Sequence, residues 1–193
     1  MIIAAVQPWL RRSDQAVRWA RNMLRPGHAV IVDTQAADLP GNLCEIAVID
    51  TTGEVLLDTL INPHTPISCR AARLHGLDDD MVATAPTFPA VLHQILAVTS
   101  GRQVFAYNAP LDREALVRDA HRSGQDIDYL EDPDTWGCIM RARSAWAGTP
   151  DHFYPLVDTH RARDNALAAL TVVQAIADDS ALVPVAARRG LGS

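Results

Sequence analysis

The sequence predicts an α/β domain with a mixed β-sheet flanked by helices, and three observations carry that expectation. Leu43 to Asp50 and Val55 to Ile61 read as strands, and Thr51-Thr52-Gly53 between them makes an antiparallel hairpin. Two further apolar runs, Ala29 to Val32 and Gln103 to Tyr107, alternate with helical stretches, which calls for strands joined by crossovers. At 193 residues and 48% apolar content the chain suffices for one domain with its own core.

In chain order, residues 13–25 have helical spacing at Ala16, Val17, Ala20, Met23 and Leu24, with Ser13 as N-cap and Pro26-Gly27 as the stop. The run Ala29-Val30-Ile31-Val32 is a central strand ending at Asp33. The hairpin follows, and Pro63 and Pro66 then punctuate a loop. Residues 69–75 and 78–83 are short helices, and Phe88 to Val98 is a longer one with Val91, Leu92, Ile95, Leu96 and Val98 apolar. After the strand Gln103 to Tyr107, a helix runs from Leu111 to Ser123 with Leu111, Ala115, Leu116 and Ala120 inward. Trp136 to Trp146 is expected to be helical, and the last helix runs from near His160 to Ala177. The expected organisation is an N-terminal helix (1–28) packed on a domain of residues 29–180, with a flexible tail at 181–193.

Composition narrows the function classes. Net charge is −6, so a constitutive, strongly basic nucleic-acid binder is not expected, although a metal site must itself be acidic. All 17 basic residues are Arg, whose planar fork suits phosphate better than the Lys ammonium does. Cys44, Cys69 and Cys138 are far apart and lack zinc spacing, so they are expected to be free thiols in a reducing cytoplasm. The N-terminal MIIAAVQPWLRR places its apolar run before its basic residues, the wrong order for a secretory leader. No stretch reaches membrane-spanning length, so a cytoplasmic protein without a membrane partner is expected.

Three short motifs sit at element ends. In Asp33-Thr34-Gln35 the period of two puts Asp33 and Gln35 on one face of the strand. Asn108-Ala109-Pro110-Leu111-Asp112 closes a strand and opens a helix, where an acid in the first turn is favoured by the helix dipole whatever the function. His160-Arg161-Ala162-Arg163-Asp164-Asn165 opens the last helix. Taken singly, Asp33 reads as a turn former and His160 as a cap or surface residue.

Taken together and in order, the motifs resemble those of the DnaQ-like 3′–5′ exonucleases, the histidine (DEDDh) subclass of the DEDD nucleases. Three softer matches keep register with them. Arg73-Leu74-His75-Gly76-Leu77 is similar to a family His-Gly-Ile segment near the terminal nucleotide. Ala85-Pro86-Thr87-Phe88 is similar to Ala-Pro-x-Phe, and Trp136-Gly137-Cys138-Ile139-Met140 to a segment more often Trp-Glu-Cys-x-Met. The resemblance covers residues 17–177 and implies an RNase H-like sheet, two Mg²⁺ or Mn²⁺ ions held by four carboxylates, and a His general base. Carried over by position, it makes Asp33, Asp112 and His160 catalytic. It puts Asp33, Gln35, Asp112 and Asn165 at the metal, and Leu39, Asn108 and His75 at the substrate; by their charge near the cleft, Arg161 and Arg163 are expected to hold phosphates there.

Two of the four metal positions thus carry amides, Gln35 and Asn165, and Ala36-Ala37 stand where the family often has Thr-Thr or Thr-Gly. Asp164, one residue from Asn165, lies about 100° around a helix from it and does not replace it. Mg²⁺ wants hard, usually charged oxygen ligands. A weak or single-ion site is therefore expected, with modest, salt-dependent affinity for single-stranded nucleic-acid 3′ ends. Three readings stay open at this point. One is an exonuclease that is weak or disabled at Gln35 and Asn165. Another is a pseudoenzyme that binds single strands, a protein partner or a second copy as a homodimer. The third is a scaffold repurposed for other chemistry around Asp33, Asp112 and His160.

Overall fold

The computed structural model describes residues 13–156 and 161–179. His160 and the expected tail at 181–193 lie outside the described residues. The strands are β1 (Ala29–Ala36), β2 (Leu43–Asp50), β3 (Val55–Leu60), β4 (Gln103–Ala106) and β5 (Trp136–Cys138). The helices are α1 (Ser13–Met23), α2 (Cys69–His75), α3 (Asp79–Val82), α4 (Phe88–Thr99), α5 (Ala109–Ser123), α6 (Ile139–Trp146) and α7 (Ala162–Ala177). Two short 3₁₀ segments, Asp128–Glu131 and Pro133–Thr135, lead into β5.

The sheet order is β3-β2-β1-β4-β5. β1 pairs antiparallel with β2 and parallel with β4, which makes the sheet mixed, as the alternation of runs predicts. Period two along the strands divides the core. Ile31, Ile49 and Phe105 face α1, α6 and α7, meeting Trp19, Met23, Ile139, Leu170 and Val173. Val30, Val32, Val48 and Val104 face the opposite way, onto Phe88, Leu92, Ile95 and Leu116 of α4 and α5. Helix α1 buries Ala16, Val17, Trp19, Ala20 and Met23, so it is part of one core layer rather than a surface appendage.

The structure corrects the expected helix over Trp136 to Trp146. Residues Trp136–Cys138 form β5, pairing parallel to β4 with Phe105 opposite Gly137, and the helix begins only at Ile139. A Cβ at position 137 would collide with the Phe105 ring, so glycine lets that aromatic side chain lie across the strand. Helix α5 begins at Ala109, earlier than Leu111, because Pro110 in the first turn has no intrahelical N–H bond to lose. Strand β1 runs on to Ala36 rather than ending at Asp33, carrying Thr34 and Gln35 to the rim of the sheet beside Ile46 and Glu45 of β2.

Candidate active site

The end of β1 supplies both faces of the site. Asp33 and Gln35 share the face toward α7, while Thr34 points the other way, toward α5. Asp112, in the first turn of α5, is buried. Its Oδ1 accepts the Thr34 backbone N–H at 2.9 Å and the Thr34 hydroxyl at 2.8 Å. On the other side Asn165, in the first turn and a half of α7, donates from Nδ2 to Asp33 Oδ2 at 3.1 Å, and Gln35 Nε2 donates to the same oxygen at 2.8 Å. Asp164 points away and is half-exposed beside Arg163.

Electrostatics follow from burial. Burial pushes the Asp112 carboxyl up to about 7, against the lowering effect of the two Thr34 donors. Burial, and then the neighbouring Asp112, hold Asp33 well above the usual carboxylate range, while the Asn165 and Gln35 donors pull it down. The two amides therefore occupy Asp33 Oδ2 as donors.

Exposed Leu39, Leu74 and Leu111 rim a cleft of about 260 Å³ whose floor includes Asp33, Gln35, Asn108, Asp112 and Asn165. All described metal and catalytic positions from the sequence, Asp33, Gln35, Asp112 and Asn165, thus meet in one place. Leu39, Asn108 and His75 line the same cleft. His75, however, is buried, and its ring nitrogens serve the backbone. Nδ1 accepts the Leu77 N–H at 3.1 Å, and Nε2 lies 3.3 Å from the Ala36 carbonyl. The guanidinium of Arg161 is engaged elsewhere. Its Nε donates to Glu45 Oε1 at 2.8 Å and its Nη2 lies 2.6 Å from the same oxygen. Arg163 stands beside Asp58 and Asp164.

The residue most conspicuously missed from sequence is Glu45. It lies opposite Gln35 on β2, is buried, and its Oε2 accepts the Ala162 N–H at 2.9 Å at the start of α7. This buried acid sets the position of the helix that delivers Asn165. Its signal was an acid inside the apolar run Leu43-Cys44-Glu45-Ile46, where a charge requires a partner. Thr34 was also missed as the donor pair that holds Asp112.

The donor set does not fit a pair of divalent cations. Two carboxylates stand against four positive charges, and Asp33 Oδ2 and Asp112 Oδ1 each already accept two hydrogen bonds. Among the described residues no group of three or more His, Cys, Asp or Glu side chains comes together.

A mixed sheet with paired acids at its rim, one on the central strand and one opening a helix, defines a nuclease-type architecture. The exonuclease family model RNase T matches residues 33–172, and the chain belongs to that family. Members generally use divalent metal ions. The chain is 26% identical over 192 residues to the uncharacterized exonuclease CP81 of Escherichia phage 186, covering 88% of this chain and 95% of that protein. It is 30% identical over 122 residues to exodeoxyribonuclease 10 of Escherichia coli strain K12, covering 61% of this chain and about half (48%) of that protein. Exonuclease X, solved with 5′-overhanging duplex DNA, superposes with a TM-score of 0.52 at 25% identity, over 80% of this chain and 94% of that one. E. coli exonuclease I, solved with single-stranded DNA, superposes at 0.62 with 12% identity, over 78% of this chain and 40% of that one, a likeness of fold.

Proposed function

We propose that this chain is a DnaQ-like 3′–5′ exonuclease homologue that engages single-stranded nucleic-acid 3′ ends with modest affinity and hydrolyses them slowly or not at all. The observation that supports it is the pair of amide donors, Gln35 Nε2 and Asn165 Nδ2, on Asp33 Oδ2. In that arrangement Oδ2 of Asp33 serves the protein rather than a cation. The binding half of the family's task keeps its support, because the cleft retains apolar Leu39 and the Asn108 amide. Removing one electrostatic contact from a site of this type typically costs 10²–10³ in rate. Both amides bear on one oxygen, so the two losses need not multiply. DNA is the first substrate to test, since exodeoxyribonuclease 10 is named for it.

The test pairs two readouts on a 5′-labelled single-stranded oligonucleotide in Mg²⁺ and in Mn²⁺. Fluorescence anisotropy should report saturable, salt-sensitive binding, while a denaturing gel shows little or no 3′ shortening at enzyme excess. Rapid stepwise shortening would overturn the impaired-turnover reading, and absence of binding at low salt would overturn the nucleic-acid reading.

A further inference from the structure

The cleft that binds nucleic acid under the proposed function needs a cation for the phosphodiester, and the two arginines nearest the motifs are committed to acids. Arg161 is held by the buried Glu45, and Arg163 lies 3.6 Å from both Asp58 and Asp164. Arg113 and Arg118 on α5 donate to the Glu131 and Gly41 carbonyls, and Arg122 pairs with Asp119. Among the described residues, the arginine on the wall of the cleft is Arg70, on α2. It is exposed, and no hydrogen bond or ion pair to another described residue engages it.

Leu74 follows Arg70 by four positions, so the two side chains lie one above the other on the cleft side of α2. Leu74 is 56% exposed and shares the rim with exposed Leu39 and Leu111, so three apolar side chains face solvent on one cleft. A cationic fork and an apolar patch one helical turn apart match the two ends of a nucleotide, its charged phosphate and its flat, weakly polar base. The other lining side chains include the acids Asp33, Asp38 and Asp112 and no second Arg, so the attraction for a polyanion comes from Arg70.

The geometry points to Arg70 as the substrate-positioning residue of this cleft: it takes a backbone phosphate of the bound strand while Leu74 packs against the adjoining base. The inference rests on the nucleic-acid reading above and adds which side chain grips the backbone.

The experiment measures anisotropy of a single-stranded oligonucleotide with a free 3′ end over a range of salt, for the parent, Arg70→Ala, Arg70→Lys and Arg73→Ala. Arg73 is on the same helix and exposed but outside the cleft lining, so it controls for general charge. Arg70→Ala should bind about fivefold more weakly at low salt. Its log–log salt slope should fall by about 0.7, the value for one phosphate contact on a single strand. Arg70→Lys should keep the slope, and Arg73→Ala should match the parent. A Leu74→Ala variant should weaken binding with no change of slope. Thermal melting of each variant confirms folding. If the parent binds and Arg70→Ala keeps both affinity and slope, the Arg70 assignment is overturned and the nucleic-acid reading stands. If the parent itself does not bind, both fall together.

Discussion

Gln35 Nε2 lies 2.8 Å from Asp33 Oδ2 on the same face of β1, two residues along the strand. A glutamate there would present an acceptor and a negative charge to that oxygen, whereas the amide presents a donor. Asn165 repeats the inversion from α7 at 3.1 Å. Each amide donates one hydrogen bond to that oxygen, so what would be a cluster of mutual repulsion is here a self-satisfied pair of contacts.

Restoring the charges should therefore reverse the sign. The double variant Gln35→Glu, Asn165→Asp conserves volume and leaves packing intact. Without metal it should melt several degrees below the parent, because like charges crowd Asp33 and Asp112. Mn²⁺ should raise its melting temperature more than the parent's, and nucleotide release from a 3′ end should become metal-dependent. Either single change should recover little, since both groups serve one oxygen. Melting curves identical to the parent's in both conditions would contradict this.

The raised carboxyl of Asp112 gives a pH signature in the metal-free protein. The folded state keeps its proton up to about pH 7, while an unfolded Asp releases it near 3.8. Below about pH 4 both states are protonated and the contribution is fully present. Between about 4 and 7 only the folded state holds the proton, so stability is lost as pH rises, by an amount of order a few kcal/mol, and levels off above. Asp33 is shifted in the same direction. Asp112→Asn keeps an oxygen for the Thr34 donors and should flatten this slope in urea denaturation at pH 5 and pH 8. An unchanged slope would count against the buried, proton-holding acid.

Glu45 should matter to stability far more than its place among strand residues suggests. Glu45→Gln removes the charge facing Arg161 but can still accept the Ala162 N–H, and should cost about 2 kcal/mol. Glu45→Ala also strips the start of α7 of its acceptor and should cost more. Chemical denaturation of both variants checks the order, and an Ala variant no worse than Gln would remove the helix-anchoring role.

Gly137 offers a test of the fold itself. Gly137→Ala would press a Cβ into the Phe105 ring and should destabilise by about 1–3 kcal/mol. Phe105→Leu in that background should relieve part of the loss.

The hairpin β2–β3 was legible because Thr51-Thr52-Gly53 separates two strand-like runs. The helices were legible from their apolar spacing. β5 was not, because three residues with a central glycine carry no period and the helical pattern from Ile139 overran them. The rim of β1 was hidden for a related reason, since Thr34, Gln35 and Ala36 face the cleft and leave no alternation of burial to read. At the site, the motif order picked out Asp33, Gln35, Asp112 and Asn165. It could not show that Arg161 would spend its charge on Glu45, because the partners lie 116 residues apart and meet only when α7 crosses β2. Arg70 stood out only once Arg161 and Arg163 were seen to be engaged.

Isothermal titration of the parent with Mn²⁺ tests most directly whether Gln35 and Asn165 take the place of a metal at Asp33. One weak binding event or none is expected, with the Gln35→Glu, Asn165→Asp variant binding more ions and more tightly. Two tight sites on the parent would contradict it.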